Sequence, residues 1–282
     1  MIEIFVDYSW VYYKSWYVFK NLSFPFEGIV HRTGAMYGVV KDIAFLRTKF
    51  PDIPINICIE PEDNSDRHAL NENYKKNRKR KDPLIFQLLN ETLRALTLFP
   101  EVRIWSSEES GEADDVLFSL INSKKDKLQM GLVYALDNDF IQIAGIPGLQ
   151  DKLCYVKLRD PAIPFEEYCQ KKYNLEPKHF LIYRALVGDA SDNLKKPVPR
   201  FPTKLARDLA VEMYEGKRII FESDNKYLKM LKEKWDVFTN NYQMMRLRDL
   251  KLQDMTEYFT DKDVMYFVRR YGMKSMRALI PE

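Results

Sequence analysis

The sequence predicts an α/β fold: a mainly parallel, twisted sheet with helices on both faces, followed by a helical C-terminal portion. Short apolar runs rich in β-branched residues recur at Ile2-Glu3-Ile4-Phe5-Val6, Ile55-Asn56-Ile57-Cys58-Ile59 and Leu132-Val133-Tyr134-Ala135-Leu136. Such runs read as buried parallel strands. Segments of helical spacing separate them. Each run also stops at an acid, namely Asp7, Glu60 and Asp137, with Asp139 close behind.

In order along the chain, residues 1–7 form the first strand, and an aromatic stretch from Tyr8 to Phe19 follows. Most of its rings are expected to pack a helix into the core. Met36, Val39, Val40, Ile43, Leu46 and Phe50 space a helix that ends before Pro51. A strand over 54–60 precedes the polar, basic stretch 61–83, which has no apolar face to bury. A helix over 83–98, a strand over 102–105 and a helix over 112–122 come next. After the strand ending at Asp137, Leu153-Cys154-Tyr155-Val156 supplies a fifth. Helical patterns then cover 165–173, 177–187, 203–214, 225–238 and 263–271.

Composition narrows the class. With 282 residues, 46% hydrophobic and 30% charged, the chain has the balance of a globular protein. No apolar run approaches the roughly 18 residues of a membrane span, and no signal peptide is expected, so no membrane partner is expected either. Three cysteines without paired spacing argue against a disulfide framework or a zinc site, and a cytoplasmic location is expected.

The acids carry the chemistry. Carboxyl ends of parallel strands converge on one crevice, which brings Asp7, Glu60, Asp137 and Asp139 together. Gly-Glu-Ala-Asp-Asp-Val adds Glu112, Asp114 and Asp115, and Gly-Asp-Ala-Ser-Asp-Asn adds Asp189 and Asp192. Asp114 and Asp115 leave their helix in different directions, so at most one should meet Glu112. Two carboxylates about 4 Å apart repel by about 1 kcal/mol even in water. Hard oxygen ligands at this density suit magnesium, with manganese as a substitute, and not zinc. Charge of the opposite sign sits elsewhere: Lys75-Lys-Asn-Arg-Lys-Arg-Lys81 places six cations in seven residues. Beside an acid cluster, a run containing Lys76, Lys79, Arg80 and Lys81 reads as contact with a phosphate backbone.

Taken together, Glu112-Ala-Asp-Asp-Val, Leu136-Asp-Asn-Asp-Phe-Ile-Gln142 and Leu186-Val-Gly-Asp-Ala-Ser-Asp-Asn193 resemble the 5′-nuclease superfamily of 5′→3′ exonucleases and flap endonucleases, whose core is PIN-like. The likeness covers roughly residues 1–215. It implies a nuclease core over 1–180, including a basic arch at about 61–83, and a helical DNA-binding subdomain over 181–282. One metal group would comprise Asp7, Glu60, Glu112, Asp114 and Asp115. A second would comprise Asp137, Asp139, Asp189 and Asp192. Arg67 to Arg78 resembles the arch segment that engages single strands, with Lys75 and Arg78 as catalytic cations at the scissile phosphate, Tyr74 stacking on a base and Arg67 on the nucleic acid.

Two departures stand out. Glu60 replaces an aspartate common in the family, with Glu62 and Asp63 as alternatives. After Asn193, Leu-Lys-Lys-Pro-Val-Pro-Arg-Phe-Pro-Thr-Lys204 puts prolines where the family's helix–three-turn–helix hairpin has glycines. Side chains of Lys195, Lys196, Arg200 and Lys204 would hold duplex instead of backbone amides, and the potassium ion bound by that hairpin elsewhere is not expected.

The resemblance implies phosphodiester hydrolysis with two divalent ions about 3.5–4 Å apart. His31, His68 and His179 lie outside the acid motifs. Substrates would be DNA with single-strand/duplex junctions or RNA–DNA hybrids, with replication proteins as further partners, handled by a free-standing monomer. The rival readings are a PIN-type ribonuclease, a nucleic-acid-binding replication accessory with weakened nuclease activity, and a small-molecule phosphatase. The basic arch argues against the last, the nearly full acid set against the accessory, and the basic arch with the long helical portion against the PIN ribonuclease.

Overall fold

Alternation along β1 (Ile2–Asp7) decides the layering. Ile4 and Val6 join one buried cluster, and Phe5 joins another on the opposite face of the sheet. The computed structural model describes residues 1–63, 65–77, 83–86, 88–217, 219, 221, 224–260 and 264–274. Its further strands are β2 (Phe24–Phe26), β3 (Ile29–His31), β4 (Ile55–Cys58), β5 (Val102–Ser107), β6 (Met130–Tyr134), β7 (Leu153–Tyr155), β8 (Ile163–Pro164) and β9 (Leu252–Asp254).

Seven strands form one sheet in the order β8-β7-β6-β1-β4-β5-β9. The inner five are parallel, and β8 and β9 are antiparallel edges. The chain winds outward from β1 through β4 and β5, then returns to β6 on the other side of β1. That reversal opens a crevice at the carboxyl ends of β1 and β6, the usual ligand position in doubly wound sheets. Helices Tyr8–Phe19, Gly34–Lys49 and Leu89–Leu96 cover one face. Ala113–Lys124, Phe165–Tyr173, Phe180–Val187 and Thr203–Tyr214 pack on the other. Each large apolar side chain buried between layers contributes about 1.5–3 kcal/mol.

The expected α/β sheet with helices on both faces is what the chain forms. Several elements depart in detail. The helix read over 83–98 is a 3₁₀ turn, Pro83–Phe86, followed by Leu89–Leu96. The helix read over 225–238 is two helices, Lys226–Glu233 and Trp235–Met245, broken where Lys234 leaves helical backbone angles at φ −114°. A hairpin, β2–β3, turns on Glu27 and Gly28, both at positive φ, as a two-residue turn of this twist requires. The C-terminal part is not wholly helical, since β9 returns to pair with β5.

Between Phe180–Val187 and Thr203–Tyr214 the chain makes a tight loop. Asp189 and Leu194 exchange two backbone hydrogen bonds, at 2.8 and 2.7 Å. Gly188 sits at φ +69°, and a Cβ there would lie 2.7 Å from the Leu194 carbonyl oxygen, so this position requires glycine.

Candidate active site: an acid-lined cleft at the strand ends

The local positions of the acids follow from strand and helix ends. Asp7 closes β1 and caps the helix Tyr8–Phe19, accepting from the Trp10 N–H at 3.0 Å. Asp137 follows β6 and accepts from the Asp139 N–H at 2.8 Å, which starts a 3₁₀ turn. Glu112 is the residue before the helix Ala113–Lys124, and Asp114 lies in its first turn.

These ends meet in a cleft of about 610 Å³. Asp7, Glu60, Glu112, Asp114, Asp137, Asp139 and Asp192 line it, with Arg67 and Lys75 as its cations among the described residues. Of Glu60, Glu62 and Asp63, only Glu60 reaches this wall. Trp10, Tyr13, Tyr17 and Leu136 make the apolar side.

Crowding shows in the electrostatics. Burial pushes Asp7 up to about 7, and Asp137 and Glu60 add repulsion. Asp114 is raised by burial, then by Asp7 and Asp137. Asp137 opens onto the cleft, yet the protein packed around its other sides raises it as well. Asp139 is pushed up to about 7 by burial and by Asp137. Glu112 behaves oppositely: burial raises it, but Arg67 and Lys75 together hold it below its ordinary range.

The donor set fits divalent cations. Only carboxylate oxygens converge here, and mutual repulsion destabilises them until positive charge arrives. Among the described residues no three such side chains are already drawn into a cage. Present cations satisfy part of the set instead: Arg67 and Lys75 on Glu112, and Arg184 on Asp139 and Asp189. Asp7, Glu60, Asp114 and Asp137 are the residues that could hold an ion, with Asp139 and Asp192 lining the same cleft.

Several expected positions differ. Asp115 is fully buried below the cleft, where Arg67 and Arg248 pair with it and its Oδ2 accepts from the Glu112 N–H. It therefore faces away from the acid cluster, as the divergence of neighbouring helix residues requires. Arg67 is also buried, tied to Glu112 and, at 2.9 Å, to Asp115, and so is no surface contact for nucleic acid. Tyr74 is 2% exposed and its hydroxyl bridges Glu112 and Asp192, each at 3.2 Å, so its ring has no open face for a base. Asp189 is set back from the cleft by Arg184 and by Ser191, whose N–H and hydroxyl it accepts.

Lys75 does reach the wall. Its ammonium pairs with Glu112, and its N–H donates to the Asp192 carbonyl at 3.1 Å. Asn77 to Ala190 and Asn193 to Asn73 complete a seam between residues 73–77 and the 189–193 loop. Lys76, Lys195, Lys196, Arg200 and Lys204 are exposed. Arg78, Lys79, Arg80 and Lys81 lie outside the described residues. Sequence reasoning missed Arg184 and Arg248. Arg184 stands on the helix just before Gly188-Asp189, a placement that could have marked it, whereas nothing local marks Arg248.

Residues 3–171 match the family described as 5′-3′ exonuclease, N-terminal resolvase-like domain. A 5′-3′ exonuclease of Buchnera aphidicola (subsp. Schizaphis graminum) is 29% identical over 205 residues, which is 72% of this chain and 67% of that protein. DNA polymerase I of Bacillus subtilis is 24% identical over 248 residues, 86% of this chain but 27% of that one. A bacteriophage T5 D15 flap endonuclease, solved with DNA and metal ions, superposes with a TM-score of 0.65 at 15% identity, over 99% of this chain and 97% of that one. Because the family match spans more than half of its length, this chain belongs to the 5′-3′ exonuclease family.

Proposed function

We propose that the protein is a divalent-metal-dependent, structure-specific nuclease that hydrolyses DNA phosphodiester bonds at 5′ ends or flaps. The observation that carries this reading is the convergence of Asp7, Glu60, Asp114 and Asp137 in one cleft, three of them with pKa values raised by burial and by neighbouring acids. Ions bound there would neutralise the phosphate and activate water for in-line attack.

The chain's own residues do the rest. Lys75 stands on the cleft wall and can turn from Glu112 to a phosphate that grows more anionic as the bond breaks. Glu112, held ionised chiefly by Arg67, anchors the Lys75 ammonium at the cleft wall. Arg184 pairs with Asp139 and Asp189 and so fixes the two acids that would help to hold a second ion. Exposed Lys195, Lys196, Arg200 and Lys204 supply duplex contact beside the cleft. The T5 enzyme's complex with DNA and metal ions supports both the substrate class and the cofactor class. Relatives among DNA polymerases I support a role in replication or repair.

The test is cleavage of a 5′-labelled flap, a nicked duplex and an RNA–DNA hybrid, with magnesium, with manganese and in chelator. Cleavage confined to the metal-containing samples is expected, strongest on the junction substrates. Undiminished hydrolysis in excess EDTA would reject the metal-dependent reading.

A further inference from the structure

The segment after the helix Trp235–Met245 lies extended along the helix Ala113–Lys124, held by side chains that read its backbone. Asp115 Oδ1 accepts from the Arg248 N–H at 2.9 Å. The Ser119 hydroxyl donates to the Arg248 carbonyl at 3.2 Å and accepts from the Leu250 N–H at 2.8 Å. Asn122 donates to Asp249 at 2.9 Å. Asp115, Ser119 and Asn122 stand on one face of the helix by its 3.6-residue period. The strap passes so near Gly111 that a Cβ there would lie 2.6 Å from Leu250 Cδ1.

The guanidinium of Arg248 then crosses a junction of three segments. Its Nη1 donates to Asp66 at 2.8 Å, and its Nη2 to the Ser110 carbonyl at 3.2 Å and to Asp115 at 3.4 Å. Asp66 opens the helix Ser65–Leu70, which leads into the arch base carrying Tyr74 and Lys75. Two backbone-level contacts join the same segments: the Asp66 N–H to the Ser110 hydroxyl at 3.2 Å, and the Gly111 N–H to the Asp63 carbonyl at 3.0 Å. Buried Asp115 is shared with Arg67, which itself holds Glu112. A planar fork with fixed donors suits such a two-way clamp, and a point charge does not.

We infer that Arg248 is a positioning residue: it clamps the root of the basic arch to the helix that carries Glu112 and Asp114, and so sets where Lys75 stands over the acid cleft. The C-terminal strap is thereby a working part of the site, although Arg248 touches no acid lining the cleft.

The first test is independent of nuclease activity. Tryptic cleavage within residues 75–81, mapped by mass spectrometry on the full chain, is expected to quicken several-fold in Arg248→Ala and in Asp66→Ala. The double variant should add little to either, because both remove one clamp. Lys251→Ala, on the same strap but without contact to Asp66 or Asp115, should cleave like the wild type. The second test rests on the nuclease reading. Turnover of a 5′-flap in Arg248→Ala should fall about tenfold or more, as a small misplacement allows, with binding of the same flap in chelator within about twofold of wild type. Arg248→Lys should recover only part of it.

Wild-type tryptic rates in Arg248→Ala or Asp66→Ala overturn the inference, as do fully additive effects in the double variant or complete rescue by lysine. Should Arg248→Ala not fold, Asp66→Ala, whose carboxylate is half exposed, decides alone. If the tryptic result holds and the wild-type chain cleaves no flap, the nuclease reading fails and the clamp stands.

Discussion

Arg184 donates through Nε to Asp139 at 3.3 Å and through Nη2 to Asp189, so one guanidinium ties an acid after β6 to an acid of the loop following its own helix. Both carboxylates and the arginine are mostly shielded, each between 16% and 18% exposed at the side chain. Removing one member of a shielded pair leaves the other uncompensated.

Arg184→Met should therefore lower metal-free stability by about 1–3 kcal/mol, somewhat below the cost of breaking a wholly buried pair. Divalent ions should restore a share of it by taking over the charge of Asp139. Urea unfolding curves with and without magnesium measure both effects. A variant as stable as the wild type in chelator would mean that the ion pairs are neutral to folding.

The metal-free protein should lose stability as pH rises. Asp7 and Asp139 are pushed up to about 7 in the folded chain, against about 3.9 in an unfolded one. Between those values the folded state binds more protons than the unfolded state, so the stability from these groups is full below about pH 4 and is lost as pH rises through about 7. Magnesium should flatten the decline, because ionised acids are what it binds. Denaturant midpoints at pH 5, 6, 7 and 8 in EDTA test the sign. A midpoint that climbs over this range would contradict the crowded-acid description.

The main acids were legible because their position is topological: any acid ending a parallel strand faces the same edge, which places Asp7, Glu60 and Asp137 without knowledge of packing. Asp115 was not legible. It directly follows Asp114, and the helix turns that single step from the cleft to the core, where Arg67 and Arg248 wait. Tyr74 and Arg67 lie in a stretch without apolar period, so nothing local showed that it folds back onto Glu112 and the 189–193 loop. The edge strand β9 is three residues long with little burial, and its pairing with β5 depends on contacts distant in sequence.

Lys75 and Lys76 should separate chemistry from binding. Lys75 lies on the cleft wall against Glu112, while its neighbour is exposed. Lys75→Ala is expected to lower kcat by about 10²-fold, the scale of one lost electrostatic donor, with a small change in Kd. Lys76→Ala should leave kcat unchanged, and if it meets a phosphate it should reduce the salt slope of binding by about one. Single-turnover rates and salt titrations distinguish the two. Equal, small losses at both positions would return this stretch to a solvated surface role.

Duplex contact by the 194–204 loop should run through side chains. Pro197, Pro199 and Pro202 remove amide donors there, and Lys195, Lys196, Arg200 and Lys204 are exposed. The two backbone bonds between Asp189 and Leu194 also occupy amides at the start of the loop. Lys196→Ala with Arg200→Ala is therefore expected to weaken binding of a nicked duplex and to lower its salt slope by about two, while sparing a single strand. Because no backbone cradle is needed, replacing potassium by sodium at constant ionic strength should leave the wild-type curve in place. Paired binding curves in the two salts settle the matter, and a clear potassium preference would show that the loop carbonyls hold an ion despite the prolines.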